Sequence, residues 1–206
     1  MKSKIDLSGM WEFCLDGDKK GMEQEFYNRH FSDTIALPGT TSEAKKGGRR
    51  EKREIGYLTE PYHFEGYAWY GREVEVKDYQ PGDQVILKLE RTRKSYVWID
   101  GVFVGSRESF CTSHIYDLTA YLMQGRGHLS VMISNVDYKA PGGHMTSPDT
   151  QTNWNGILGE ISLRVYRGVR LKDVFAESCW KKRQLKIAVN AVSYTHLRAH
   201  ETCADL

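Results

Sequence analysis

The stretch Tyr96-Val97-Trp98-Ile99-Asp100-Gly101-Val102-Phe103-Val104-Gly105 is two short runs of β-branched and aromatic residues that meet at Asp100-Gly101. Aspartate followed by glycine supplies the two positive φ angles of a tight two-residue turn, so the runs are expected to return antiparallel on each other. Working outward, residues 85–89 and 129–133 are further short apolar runs. Turn residues precede each of them, Pro81-Gly82-Asp83 the first and Gly125-Arg126-Gly127 the second. Similar runs at 7–13, 34–37, 62–76 and 154–166 bring the count to about eight strands. That spacing leaves no room for the repeated helices of an α/β fold and predicts an all-β sandwich. Residues 21–31 are the one stretch with a helical phase, Met22, Phe26 and Tyr27 falling on one side; an ordered loop is the other reading.

The chain has 206 residues, enough for one sandwich and part of another. A domain of this size buries roughly 70% of the surface its unfolded chain exposes, so a real core is available. A formal net charge of +2 gives no reason to expect a nucleic-acid or membrane partner. The basic run at 45–53 holds two glycines and no apolar residue, and reads as a solvated loop. Cys14, Cys111, Cys179 and Cys203 show no ligand spacing, so neither a metal site nor a disulfide framework is expected, and they read as thiols of a reducing compartment. No apolar signal core follows Met1, and a cytoplasmic location is the expectation.

Several motifs resemble one family. They are the Gly-x-Trp-x-Phe strand at 9–13, Leu37-Pro38-Gly39-Thr40-Thr41, Ala68-Trp69-Tyr70-x-Arg72, the hairpin at 95–105, and Asp117-Leu118-Thr119-Ala120-Tyr121-Leu122 with Gly125 after it. Together they are similar to the amino-terminal jelly-roll domain of glycoside hydrolase family 2, the group of β-galactosidases, β-glucuronidases and β-mannosidases. The resemblance implies a galactose-binding-domain-like jelly roll over residues 1–168. It also implies that residues 169–190 are the first strands of an immunoglobulin-like sandwich, truncated, since such a sandwich needs about seven strands to close its core. Residues 191–206 do not fit. Residues 192–202 can be back-translated into a transposase-type sequencing adapter read in one frame, and the tail is expected to derive from it. His196 and His200, four apart in that tail, are therefore not taken as metal ligands.

Family 2 enzymes cleave glycosidic bonds with retention, using two glutamates of a (β/α)8 barrel that follows the two sandwiches. Retention needs two carboxyls about 5 Å apart. No barrel sequence is present, so no catalytic residue is expected here, and Glu60, Glu73, Glu75 and Glu160 read as strand or loop residues. The fragment is expected to be inactive by itself and to need no cofactor, with Mg or Na belonging to the longer enzyme. The resemblance implies a carbohydrate partner and most closely a β-galactosidase parent; a stand-alone carbohydrate-binding module is the alternative. In family β-galactosidases an aspartate shortly before a Trp-x-Gly-Ile segment reaches the substrate pocket, and Asp149 ahead of Trp154-Asn155-Gly156-Ile157 is the match. The candidate substrate-binding residues are thus Asp149, Asn153, Trp154 and Asn155. Their other reading is structural, with Asp149 capping its turn, Trp154 in the core and the asparagines serving loop backbone. His63 and His144 flank the same loops and read as exposed or satisfied histidines.

Overall fold

A computed structural model describes residues 3–51, 60–122, 124–139, 145–146 and 153–193 of the chain. In chain order the strands begin with β1 (Ser3–Asp6), β2 (Gly9–Asp16), β3 (Asp33–Leu37), β4 (Gly39–Thr40), β5 (Gly48–Arg49) and β6 (Tyr62–His63). They continue with β7 (Tyr67–Glu75), β8 (Gln84–Leu89), β9 (Lys94–Ile99), β10 (Val102–Arg107), β11 (His114–Asp117) and β12 (Arg126–Ser134). The last are β13 (Gly156–Ile157), β14 (Ile161–Tyr166), β15 (Arg170–Cys179) and β16 (Gln184–Val192).

Two antiparallel sheets make the sandwich. One has six strands in the order β10-β9-β12-β7-β2-β3, and the other has four in the order β1-β14-β8-β11. The central hairpin forms as its sequence requires: Val102 pairs with Ile99, and the intervening Asp100 and Gly101 have φ of 47° and 76°. Alternation along each strand then decides what is buried. Trp11, Phe13, Tyr70, Val97, Ile99, Leu129, Val131 and Ile133 face inward from the larger sheet, and Val85, Leu87, Leu89, Leu163 and Val165 meet them from the smaller one.

Ten strands build the two sheets, rather than about eight. Short polar β1 escapes a pattern search because its residues alternate between half-buried and exposed at the sheet margin. The stretch with a helical phase forms turns and a single 3₁₀ turn, Phe26–Asn28, rather than an α-helix. Its aromatic residues lie on the outer face of the six-stranded sheet, where Phe26, Tyr27 and Phe31 pack on Trp69, Trp98 and Met132 as a second apolar cluster. Tyr27 stacks on Trp98 with centroids 5.3 Å apart and planes 7° from parallel. The buried carboxylate of Asp16 secures this cover, accepting hydrogen bonds from the backbone N–H groups of Lys20 (3.0 Å) and Gly21 (2.8 Å) and from the Trp69 indole (3.2 Å).

Beyond the sandwich, β15 and β16 pair with each other and with no other strand among the described residues, and nearly all their residues are exposed. This is the region expected to begin a second sandwich. Strand β16 extends two residues into the tail, Ala191 pairing with Leu171 and Val192 with Arg170. His196, His200 and Cys203 lie outside the described residues. No helix among the described residues is long and apolar enough to cross a membrane.

Candidate functional site

Tyr67, Lys94 and Ser134 are register partners at one end of the six-stranded sheet, which brings the residues just beyond them, Gly66, Arg93 and Asn135, to the same place. The inward phase of β9 runs back from Ile99 through Val97 and Ser95 to Arg93, so this cation is delivered to the interior side. Arg93 is fully buried. Its guanidinium lies 4.4 Å from the Trp154 ring centroid and 4.9 Å from that of Phe110, so it is a cation held by two aromatic rings. Its Nε donates to the Trp154 carbonyl (3.3 Å) and its Nη1 to the Met145 carbonyl (3.1 Å). Nη2 is buried with no partner among the described residues.

The asparagines divide into two kinds. Asn135 works as a clamp: its side-chain oxygen accepts from Gly66 N–H (3.0 Å), and its amide donates to the carbonyls of Phe64 (2.8 Å) and Asn153 (2.9 Å). Asn153 is half-buried, accepting the Tyr138 hydroxyl (2.9 Å) and donating to Glu65 (3.5 Å). Asn155 is fully buried and turned to the core, where its oxygen accepts the Tyr70 hydroxyl (3.1 Å) and its amide donates to the Ile133 carbonyl (3.0 Å). Burial pushes the Tyr70 hydroxyl far above the usual phenol range, so it acts as a fixed donor.

Trp154 is half-buried, with the Arg93 guanidinium over its ring, so one face of the indole is taken up by packing. Asp149 lies outside the described residues, as does His144. Lys139 and Asn153, on either side of the segment that carries them, are both anchored here, Lys139 N–H on Glu108 (2.9 Å) and Asn153 on Asn135. His63 joins the periphery, its Nδ1 3.1 Å from Arg50 Nη2. Glu60 adds a perturbed carboxyl to this end of the sandwich. Burial pushes its carboxyl up to about 7 despite the opposing fields of Arg93 and Arg50. Two carboxyls poised for glycoside cleavage are not formed by Glu73, Glu75 and Glu160. Glu73 pairs with His128, Glu75 is exposed on β7, and Glu160 sits among Lys4, Lys88 and Arg164.

Sequence reasoning passed over Arg93, Glu60, Asn135 and Tyr138. The strand phase could have found Arg93, two residues before the inward Ser95. Nothing local marks the other three, which are brought together only by the fold.

The family model described as "Glycosyl hydrolases family 2, sugar binding domain" matches residues 4–166. The chain belongs to glycosyl hydrolase family 2. Among the curated relatives of this family 2 chain is a β-galactosidase of Clostridium acetobutylicum, 24% identical over 198 residues, covering 86% of this chain and 21% of that protein. A β-glucuronidase of Paenibacillus borealis is 27% identical over 133 residues, covering 64% and 21%. The chain thus spans about a fifth of the length of these relatives. Among solved structures, a β-glucuronidase of an uncultured Clostridium superposes with a TM-score of 0.64 at 15% identity, covering 93% of this chain and 34% of the other. That of Ruminococcus gnavus gives 0.63 at 16% identity, covering 93% and 33%. These likenesses agree with the sandwich described above.

Proposed function

We propose that this chain is the substrate-side sugar-binding sandwich of a longer retaining β-glycosidase, with β-galactosides as its substrate class. The observation that carries the proposal is the cluster of Arg93, Trp154, Asn153, Tyr138 and Glu60 at one end of the sandwich. Its composition suits a sugar: amides and carboxyls accept or donate paired hydrogen bonds to vicinal hydroxyls, and an aromatic face covers the ring. The residues that flank the Asp149 segment in the chain, Lys139 and Asn153, are held by Glu108 and Asn135, which supports Asp149 as a further sugar contact. Asn153 and Trp154 act with it, whereas the buried Asn155 supports them from below. The preference for galactosides rests on the names of the curated relatives, most of which are β-galactosidases. The glutamate pair that would perform cleavage belongs to a barrel outside this chain, and any Mg or Na of the longer enzyme belongs with it.

The test begins with the source DNA across codons 185–206 and beyond. Coding sequence that continues into a second sandwich and a barrel with two facing glutamates supports the proposal. The longer protein should then release nitrophenol from nitrophenyl β-galactoside, while the 206-residue chain releases none. A stop codon retained after Leu206 overturns the glycosidase reading and leaves a carbohydrate-binding module. Faster release from the β-glucuronide than from the β-galactoside overturns the substrate class.

A further inference from the structure

On the outer face of the six-stranded sheet, apart from the Arg93 cluster, Glu12, His30 and His128 converge. Each can bring one ligand atom to within 4.8 Å of the other two. Strand register explains two of them: Glu12 on β2 lies opposite Gly71 on β7, and His128 on β12 lies opposite Glu73, two residues further along β7 on the same face. The third, His30, comes from the connection into β3, with its Nδ1 2.9 Å from Glu12 Oε1 and its ring 4.7 Å from that of His128.

We propose that Glu12, His30 and His128 form a zinc site, with the Nε2 of His128 as the imidazole ligand that the sheet holds ready. Three features of the geometry argue for it. The Nδ1 of His128 is 2.9 Å from Glu73 Oε1, an arrangement in which the carboxylate takes the ring N–H and leaves the lone pair on Nε2. A carboxylate behind a histidine is the usual means of fixing tautomer and ring direction at a metal. Next, that Nε2 is buried and has no hydrogen-bond partner among the described residues, an arrangement that costs free energy unless something binds it. Finally, residue 71 is glycine between the ligands. A Cβ there would stand 3.3 Å from both Glu12 Oε2 and His128 Nε2, so glycine leaves open the space between them.

Two imidazoles and one carboxylate are the nitrogen and oxygen donors of three-ligand zinc sites, which leave the fourth position to water. Glu12 is itself braced, accepting the Phe31 N–H at 3.0 Å, so His30 and the carboxylate share one short stretch of backbone. The site joins β2, β12 and the connection before β3, and a bound ion would tie the aromatic cover to the sheet beneath it.

Zinc chloride is titrated calorimetrically into the full 206-residue chain, and in parallel into the double variant His30→Gln/His128→Gln. Other histidines and thiols of the chain are present in both, so the difference reports this site. The expected result is one saturable site per chain that the double variant lacks. Glu73→Gln is expected to weaken it about 10–100-fold, the usual effect of removing a carboxylate behind a ligating histidine. Zinc should also raise the unfolding midpoint of the native chain and not that of the double variant. The exposed His30→Gln change alone, which leaves the sheet intact, should weaken binding at least tenfold. The same isotherm for native chain and double variant, or no saturable binding by the native chain, overturns the proposal.

Discussion

Replacing Asn155 by alanine separates the two readings of this residue, as sugar contact or as core support. The structure places both side-chain partners of Asn155 in the interior: the Tyr70 hydroxyl at 3.1 Å and the Ile133 carbonyl at 3.0 Å. Tyr70, Ile133 and Asn155 itself are each without exposure to solvent. The change leaves one buried donor and one buried acceptor without this partner, each costing about 1–3 kcal/mol, so a total loss of ~2–6 kcal/mol is expected. With a slope of about 2 kcal/mol per molar urea for a domain of this size, the unfolding midpoint should fall by ~1–3 M. Tryptophan fluorescence follows the transition, since Trp11, Trp69 and Trp98 are all buried. A cycle with Tyr70→Phe isolates the shared bond, and the two changes together should cost about 1–2 kcal/mol less than their sum. A midpoint unmoved by Asn155→Ala, together with a lowered affinity for a β-galactoside, would refute the assignment to the core and return Asn155 to the sugar.

The remaining expectations use other parts of the structure. Glu60, raised by burial from an unfolded value near 4.5 to about 7, binds a proton more readily when folded. Its contribution to stability is therefore full below pH 4.5 and is lost as pH rises through about 7, and Glu60→Gln should remove that part of the pH dependence in unfolding curves taken between pH 5 and 8. Glu160 behaves oppositely. The Ser162 hydroxyl, followed by Arg164, Lys88 and Lys4, holds it at about 2, so its contribution is present above pH 4.5 and is lost as pH falls through about 2. Glu160→Gln should accordingly cost about 1 kcal/mol at pH 7, discounted for partial solvent exposure, and almost nothing at pH 2. Arg93→Lys keeps the charge but not the planar fork between Trp154 and Phe110, and should lower the urea midpoint while weakening galactoside binding. Brief trypsin treatment should cut first at Lys181, Lys182 or Arg183 in the exposed turn between β15 and β16, leaving a core fragment whose thermal transition is unchanged; first cleavage inside residues 3–166 would contradict this.

Local rules read the sandwich where the chemistry is local. Asp100-Gly101 is a hairpin because of its own dihedral preferences, and the alternation of Glu73-Val74-Glu75 marks β7 as a half-buried strand. Residues 21–31 left a helix and an ordered loop both open, because Phe26, Tyr27 and Phe31 do lie on one side; the surface they cover is a sheet, which turns and one 3₁₀ turn also reach. Trp154 and Asn153 stand out in the sequence because their segment is polar and irregular. The inward phase of β9 marks Arg93 as a buried position but not what holds it there, since Phe110 and Trp154 lie 17 and 61 positions away. Cysteine and histidine spacing gave no metal site for a similar reason: residues 12, 30 and 128 become neighbours only through the order of strands β2, β7 and β12.

The ribbon of β15 and β16 has a consequence of its own. Among the described residues its strands have no neighbour but each other, while Leu171, Val174, Phe175, Trp180 and Leu185 are exposed along its length. Such an edge accepts any extended chain that offers matching N–H and C=O groups, another copy of itself included. At the concentrations used for crystals or magnetic resonance, the 206-residue chain should therefore associate through this ribbon rather than through the sandwich. Self-association should rise with concentration, be relieved by mild urea before the sandwich melts, and disappear when the ribbon is removed.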